Sequence, residues 1–90
     1  MKKEIDEYLS FVLIEKKLSV NTKDAYGSDL NFFSEFLKDK DVKKISDSDI
    51  KNYINYLYDM KETDKTIARK IVSVKTFFDY LMLNHKISTN

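Results

Sequence analysis

Ninety residues with 42% hydrophobic content make one domain with a single core, too short a chain for two. The absence of Cys and Pro and the presence of only one Gly exclude disulfides and thiolate metal sites and fit an intracellular, cytoplasmic protein. Sixteen basic against fifteen acidic residues leave a net charge of +1, well short of the broad basic excess of a free-standing nucleic-acid binder. Any such contact must come from a local patch. No apolar run approaches the roughly 18 residues of a membrane helix, and Met1 to Asp6 is too charged for a secretory signal, so the chain reads as soluble and unattached to membranes.

The first predicted helix runs from about Lys3 to Lys17, where Ile5, Tyr8, Leu9, Val12, Leu13 and Lys16 recur at three- and four-residue steps. Phe11 and Ile14 fall off that stripe and are either simply exposed or meet a neighbouring surface. Ser19 is placed to cap a second helix beginning at Val20, its hydroxyl accepting the backbone N–H near Thr22. Tyr26, Leu30, Phe33 and Leu37, flanked by Ala25, Phe32 and Phe36, make a broad apolar face; Lys23, Asp24, Gly27, Ser28, Asn31, Ser34 and Lys38 take the other side. A mid-helix Gly costs about 1 kcal/mol relative to Ala. Gly27 therefore marks either drift at an exposed position or a close approach of another backbone.

Lys38 to Ile45 reads as a charged connector, and Ser46 with Asp49 three residues on resembles a capping box. The third helix then extends to about Met60, with Ile50, Tyr53, Ile54 and Leu57 facing inward and Tyr58 at the edge. The Lys61–Glu62 link lacks the Gly that often stops a helix. Thr63 caps a fourth helix in which Ile67, Ile71, Val74, Phe78 and Leu81 alternate four- and three-residue steps. Lys65, Arg69, Ser73 and Thr76 project from the opposite side, with Thr66 and Lys70 at its flank and Val72 among them. The pattern predicts an all-α, compact four-helix bundle whose interior holds Leu9, Val12, Leu30, Phe33, Ile54, Leu57, Ile71, Val74 and Phe78.

The residue inventory argues against catalysis. Six tyrosines are present, but phosphoryl transfer through Tyr needs a cation cluster and a proton donor, and the chain has one Arg, Arg69, and one His, His85. Tyr8, Tyr26 and Tyr53 sit on apolar stripes and read as core. His85 has no partner at metal-ligand spacing and reads as a cation near a helix C-terminus. No glycine-rich phosphate loop or paired carboxylate site is present, so no cofactor, metal or small-molecule ligand is expected.

The ordered set Leu18, Ser19, Asn21, Thr22, Ala25, Tyr26, Asp29, Leu30, Phe36 and Leu37, followed by Thr63, Thr66, Ile67, Arg69, Phe77, Phe78, Tyr80 and Leu81, resembles the N-terminal core-binding, SAM-like domain of the tyrosine recombinases, the phage integrase and Xer-like group. The ending Ile87-Ser88-Thr89-Asn90 is similar to that family's Ile-x-x-Asn-Pro. The resemblance implies that residues 1–90 are a single core-binding domain, one half of a clamp around duplex DNA. It implies further that other recombinase protomers are partners and that strand cleavage belongs to a separate C-terminal catalytic domain absent from this chain. On this sequence the implied DNA face comprises Asn21, Thr22 and Lys23 at a helix N-terminus, where N–H groups and the macrodipole favour phosphate, and Lys65, Thr66, Arg69, Lys70 and Ser73 on the fourth helix. Gly27 and Ser28 stand where the family commonly has basic residues, and Lys75 where it has Arg, which removes a forked donor. The competing expectation is a helical protein-interaction module without DNA affinity, using Phe11, Ile14 and Tyr58 as an apolar patch.

Overall fold

The computed structural model describes residues 1–84; the expectations for His85 and for the Ile87–Asn90 ending lie outside them. Four α-helices appear in chain order: α1 (Lys2–Ile14), α2 (Val20–Phe36), α3 (Asp47–Asp59) and α4 (Asp64–Leu83). Among the described residues there is no strand. The chain is therefore all-α, as the helical periodicities predict.

Three of the four helix starts follow from their hydroxyl caps. The Ser19 side chain accepts the Thr22 N–H at 3.1 Å and that of Thr63 the Thr66 N–H at 3.2 Å. Ser46 and Asp49 form a reciprocal capping box, each side chain taking the other's backbone N–H. Helix ends are made without glycine: Lys17, Lys38, Asp39 and Lys61 all adopt positive φ, the left-handed turn that stops a helix. α1 ends at Ile14, three residues before the expected Lys17, whereas α3 ends at Asp59, within one residue of its expected end. The predicted connector is more ordered than its charge suggests. Residues Val42–Lys44 form a 3₁₀ turn, and Val42 is buried.

The core is built mainly from α1, α2 and α4, with α3 laid against α4. Val12, Leu30, Phe33, Leu57 and Val74 are buried as expected, joined by Ile5, Tyr8, Tyr53, Ile67 and Leu81. Phe33 meets Tyr53 edge-on, ring centroids 4.8 Å apart, an arrangement favoured by the aromatic quadrupole. Leu9, Ile54, Ile71 and Phe78, expected inside, are only partly buried, and Leu9, Ile71 and Phe78 pack on the core's margin. Phe77 rather than Phe78 takes the fully buried place on α4.

Two positions assigned to the outer face of α2 are buried. Gly27 lies against α1, where an added Cβ would come within 3.2 Å of Leu9 Cδ1; close helix approach, not drift at an exposed site, accounts for it. Ser34 is buried because its hydroxyl donates to Asp39 Oδ1 at 3.3 Å. The same carboxylate accepts the Lys2 N–H at 3.1 Å, so one side chain joins the start of α1 to the end of α2.

Candidate nucleic-acid interface

A buried carboxylate ties α2 to α4. Asp29 has no accessible surface, although it carries a charge whose burial is costly unless paired. The pairing is full. Arg69 donates Nε–H to Oδ2 at 3.1 Å and Nη2–H to Oδ1 at 2.9 Å, and the Ser73 hydroxyl donates to Oδ2 at 2.9 Å. Lys70 Nζ lies 3.8 Å from Oδ1 and 4.2 Å from the centroid of the Phe32 ring, so its ammonium is held between a carboxylate and an aromatic face.

This cluster changes the roles of three residues expected on the DNA face. Ser73 is fully buried and spends its hydroxyl on Asp29; it faces inward because a buried carboxylate needs a donor that a small side chain on α4 can provide. The Lys70 side chain is only 12% exposed and is likewise drawn inward. Arg69 differs. Its side chain remains 54% exposed while one edge of the guanidinium is held on Asp29.

The other expected residues lie on either side of this bridge. α2 and α4 run antiparallel where they touch: Lys70 reaches Phe32, Arg69 and Ser73 reach Asp29, and Thr76 and Tyr80 share a cleft with Tyr26. Thr22 stands seven residues before Asp29, two turns away on the same side of α2. Asn21 is exposed beside it and Lys23 half-buried. On α4, the exposed Lys65 and half-buried Thr66 lie one turn before Arg69. Along the helix axes, Asn21–Lys23 and Lys65–Thr66 thus fall on opposite sides of the Asp29–Arg69 bridge. Eleven residues of helical rise separate Thr22 from Lys65, roughly 16 Å. The region between them is modestly charged, since Asp24 and Asp64 are exposed at its ends.

Asp29 is the residue that helical periodicity missed. A signal existed: an acidic residue next to Leu30 on an apolar stripe needs a buried partner, and Arg69 and Ser73, one turn apart on α4, are the matching donors.

Elsewhere, burial pushes the Tyr8, Tyr53 and Tyr80 hydroxyls above the ordinary tyrosine pKa, the opposite of what an activated nucleophile needs. Among the described residues no cluster of His, Asp or Glu could hold a metal, and no helix is long and apolar enough to cross a membrane. The expected apolar patch does not form as such. Phe11 is half-buried against Tyr80, centroids 4.9 Å apart, leaving Ile14 and Tyr58 exposed on separate helices. A cleft of about 400 Å³ opens instead between α3 and α4, lined by Ile45, Ile50, Ile54, Ile71 and Phe78.

A small all-helical module with polar and cationic residues along two antiparallel helices is the class defined by this geometry. Residues 5–85 match the model of the phage integrase N-terminal SAM-like domain, and the chain belongs to that family. It is 30% identical to tyrosine recombinase XerC of Herpetosiphon aurantiacus over 93 residues, covering all of this chain and 30% of that protein. It is 36% identical to tyrosine recombinase XerD of Staphylococcus epidermidis over 81 residues, covering 87% of this chain and 28% of that one. Against XerD of Listeria innocua the identity is 33% over 88 residues, covering 93% and 30%. The chain thus spans under a third of the length of these relatives, and what it matches is a recombinase-associated N-terminal domain. No solved structure matches it significantly.

Proposed function

We propose that residues 1–90 form a single core-binding domain that holds duplex DNA as one half of a clamp, positioning it for a catalytic domain carried elsewhere in a tyrosine recombinase. Other protomers of the recombinase are its partners in the assembled complex, and the module itself neither cleaves nor joins strands. The observation that carries this is the Asp29–Arg69 bridge between two packed helices, with Asn21–Lys23 on one side of it along the helix axes and Lys65–Thr66 on the other. The span between them of about 16 Å of helical rise is comparable to the roughly 12 Å opening of the major groove, so its ends can address phosphates on both strands. The helix start at Val20 adds backbone N–H groups without intrahelical partners. Phosphate contacts of this kind fix register and contribute little direct sequence reading.

Few cations contribute, so affinity of the isolated domain falls in the non-specific range of about 10⁻⁴–10⁻⁶ M and drops steeply with salt. Fluorescence anisotropy of a labelled duplex, at two salt concentrations, tests this. Lys23→Ala and Lys65→Ala each weaken binding and lower the salt slope by about 1, whereas Lys51→Ala, exposed on α3, has little effect. Equal losses for all three variants would refute the assignment of the face.

A second reading is favoured by the apolar cleft between α3 and α4: a helical protein-interaction module that seats a partner's side chain there and has no affinity for DNA. It predicts partner capture insensitive to salt, and loss of capture on changing Ile54 or Ile71 to Asp.

A further inference from the structure

We infer that Asp29 is a positioning residue: it holds Arg69 by one edge of the guanidinium so that the opposite edge meets a phosphodiester of the bound duplex. This rests on the DNA-binding reading above and adds to it a buried residue that never touches DNA. A guanidinium has five N–H donors arranged as a fork. The contacts to Asp29 use Nε–H and one Nη2–H. What remains is the end-on edge, two Nη1–H groups and the second Nη2–H, for which no acceptor is found among the described residues. A carboxylate of no accessible surface against a guanidinium whose side chain is 54% exposed means that one edge faces the core and the other faces out. The outward edge keeps the paired N–H geometry that fits phosphate oxygens bidentately.

The surroundings make that orientation stiff. Ser73 takes a lone pair of the same carboxylate at 2.9 Å, and Lys70, between Asp29 and the Phe32 ring, lies on its other side. Asp29 is thus fixed by three side chains, Arg69, Lys70 and Ser73, from about one turn of α4 and cannot swing with Arg69. An arginine ordered before binding loses less side-chain freedom when phosphate arrives. Charge also favours an incoming anion, because one buried carboxylate faces two cations, Arg69 and Lys70, leaving the cluster with a net charge of +1.

The test turns on a sign. Asp29→Asn removes a negative charge from beneath the DNA face, which by charge alone strengthens binding. If Asp29 positions Arg69, the same change weakens binding, by about tenfold for loss of a bidentate phosphate contact, and Arg69→Ala added to it causes no further loss. Circular dichroism establishes that each variant is folded. Should Asp29→Asn fail to fold, the wild-type domain still decides: on addition of a short duplex, the Arg69 Nη resonances shift in NMR spectra while Nε–H keeps its position on Asp29. Folded Asp29→Asn that binds as tightly as wild type or tighter, or Arg69 Nη resonances that ignore DNA, overturns the inference. Lys23→Ala and Lys65→Ala separate the two failures. If these still weaken binding, only the role of Asp29 falls; if the wild-type domain shows no salt-sensitive binding at all, the DNA-binding reading falls with it.

Discussion

Replacing Arg69 by Ala is expected to cost about 3 kcal/mol of stability, because it strands a buried charge. Asp29 is fully buried, and two of its three close hydrogen bonds come from the Arg69 guanidinium. Removing one partner of a buried pair typically costs about 3–5 kcal/mol; the Ser73 hydroxyl at 2.9 Å and the Lys70 ammonium at 3.8 Å remain and hold the figure near the lower end. The reverse change costs less. In Asp29→Asn the amide NH2 faces one of the two Arg69 donors, so the bidentate hold is lost and Arg69, at 54% exposure, turns to water; the main loss is a charge-assisted bond worth about 1.5–3 kcal/mol. Against a total of about 5–15 kcal/mol for a small domain, either effect is readily measured by urea denaturation at neutral pH followed by circular dichroism. The double variant should fall well short of the sum of the singles, since both report one cluster. Additivity within about 0.5 kcal/mol, or an Arg69→Ala cost below that of Asp29→Asn, would show that the α2–α4 bridge contributes little.

Tyr53 is packed among Phe32, Phe33 and Phe36, and its buried hydroxyl has no hydrogen-bond partner among the described residues, so Tyr53→Phe should raise stability by about 1 kcal/mol in denaturant titrations; a loss would reveal a partner for the hydroxyl. Lys61→Gly, at φ 60°, relieves a left-handed conformation and should gain about 0.5 kcal/mol once the added freedom of the unfolded chain is set against it; a lowered midpoint would contradict that geometry. The Lys40 ammonium, 2.8 Å from Asp49, holds the Asp49 carboxyl below its ordinary pKa, helped by the Ser46 N–H. Because the folded value is the lower one, this contribution is present above the ordinary aspartate value of 3.8 and disappears as the pH falls below it. Asp49→Asn should accordingly flatten the acid limb of a stability–pH profile, and an unchanged limb would remove the pair from the explanation.

Much of the fold is legible in local sequence, because caps and apolar repeats act within one or two turns. Ser19, Ser46 and Thr63 start their helices as their hydroxyls dictate. The phase of α4 was harder to read. With Phe77 and Phe78 adjacent, both satisfy an apolar stripe, and only packing against Tyr8, 5.6 Å away, turns Phe77 inward. Gly27 and Ser73 were misplaced for a related reason. A small residue on a polar-looking face is indistinguishable from a solvated one until the neighbouring helix is known, and the partners here, Leu9 and Asp29, are 18 and 44 residues away. The same long-range pairing hid Asp29, although the residue stands in the family motif. Of the residues expected on the DNA face, Asn21, Lys65 and Arg69 are exposed and Thr22, Lys23 and Thr66 half-buried, whereas Ser73 and Lys70 are drawn inward to Asp29.

Amide chemical-shift mapping of the domain during titration with a short duplex tests most directly the proposed DNA face on α2 and α4. The expected result is a set of shifts at Asn21, Thr22, Lys23, Lys65, Thr66 and Arg69, saturating in the range of about 10⁻⁴–10⁻⁶ M and receding as salt is raised. Shifts confined to α1 and α3, or binding indifferent to salt, would contradict it.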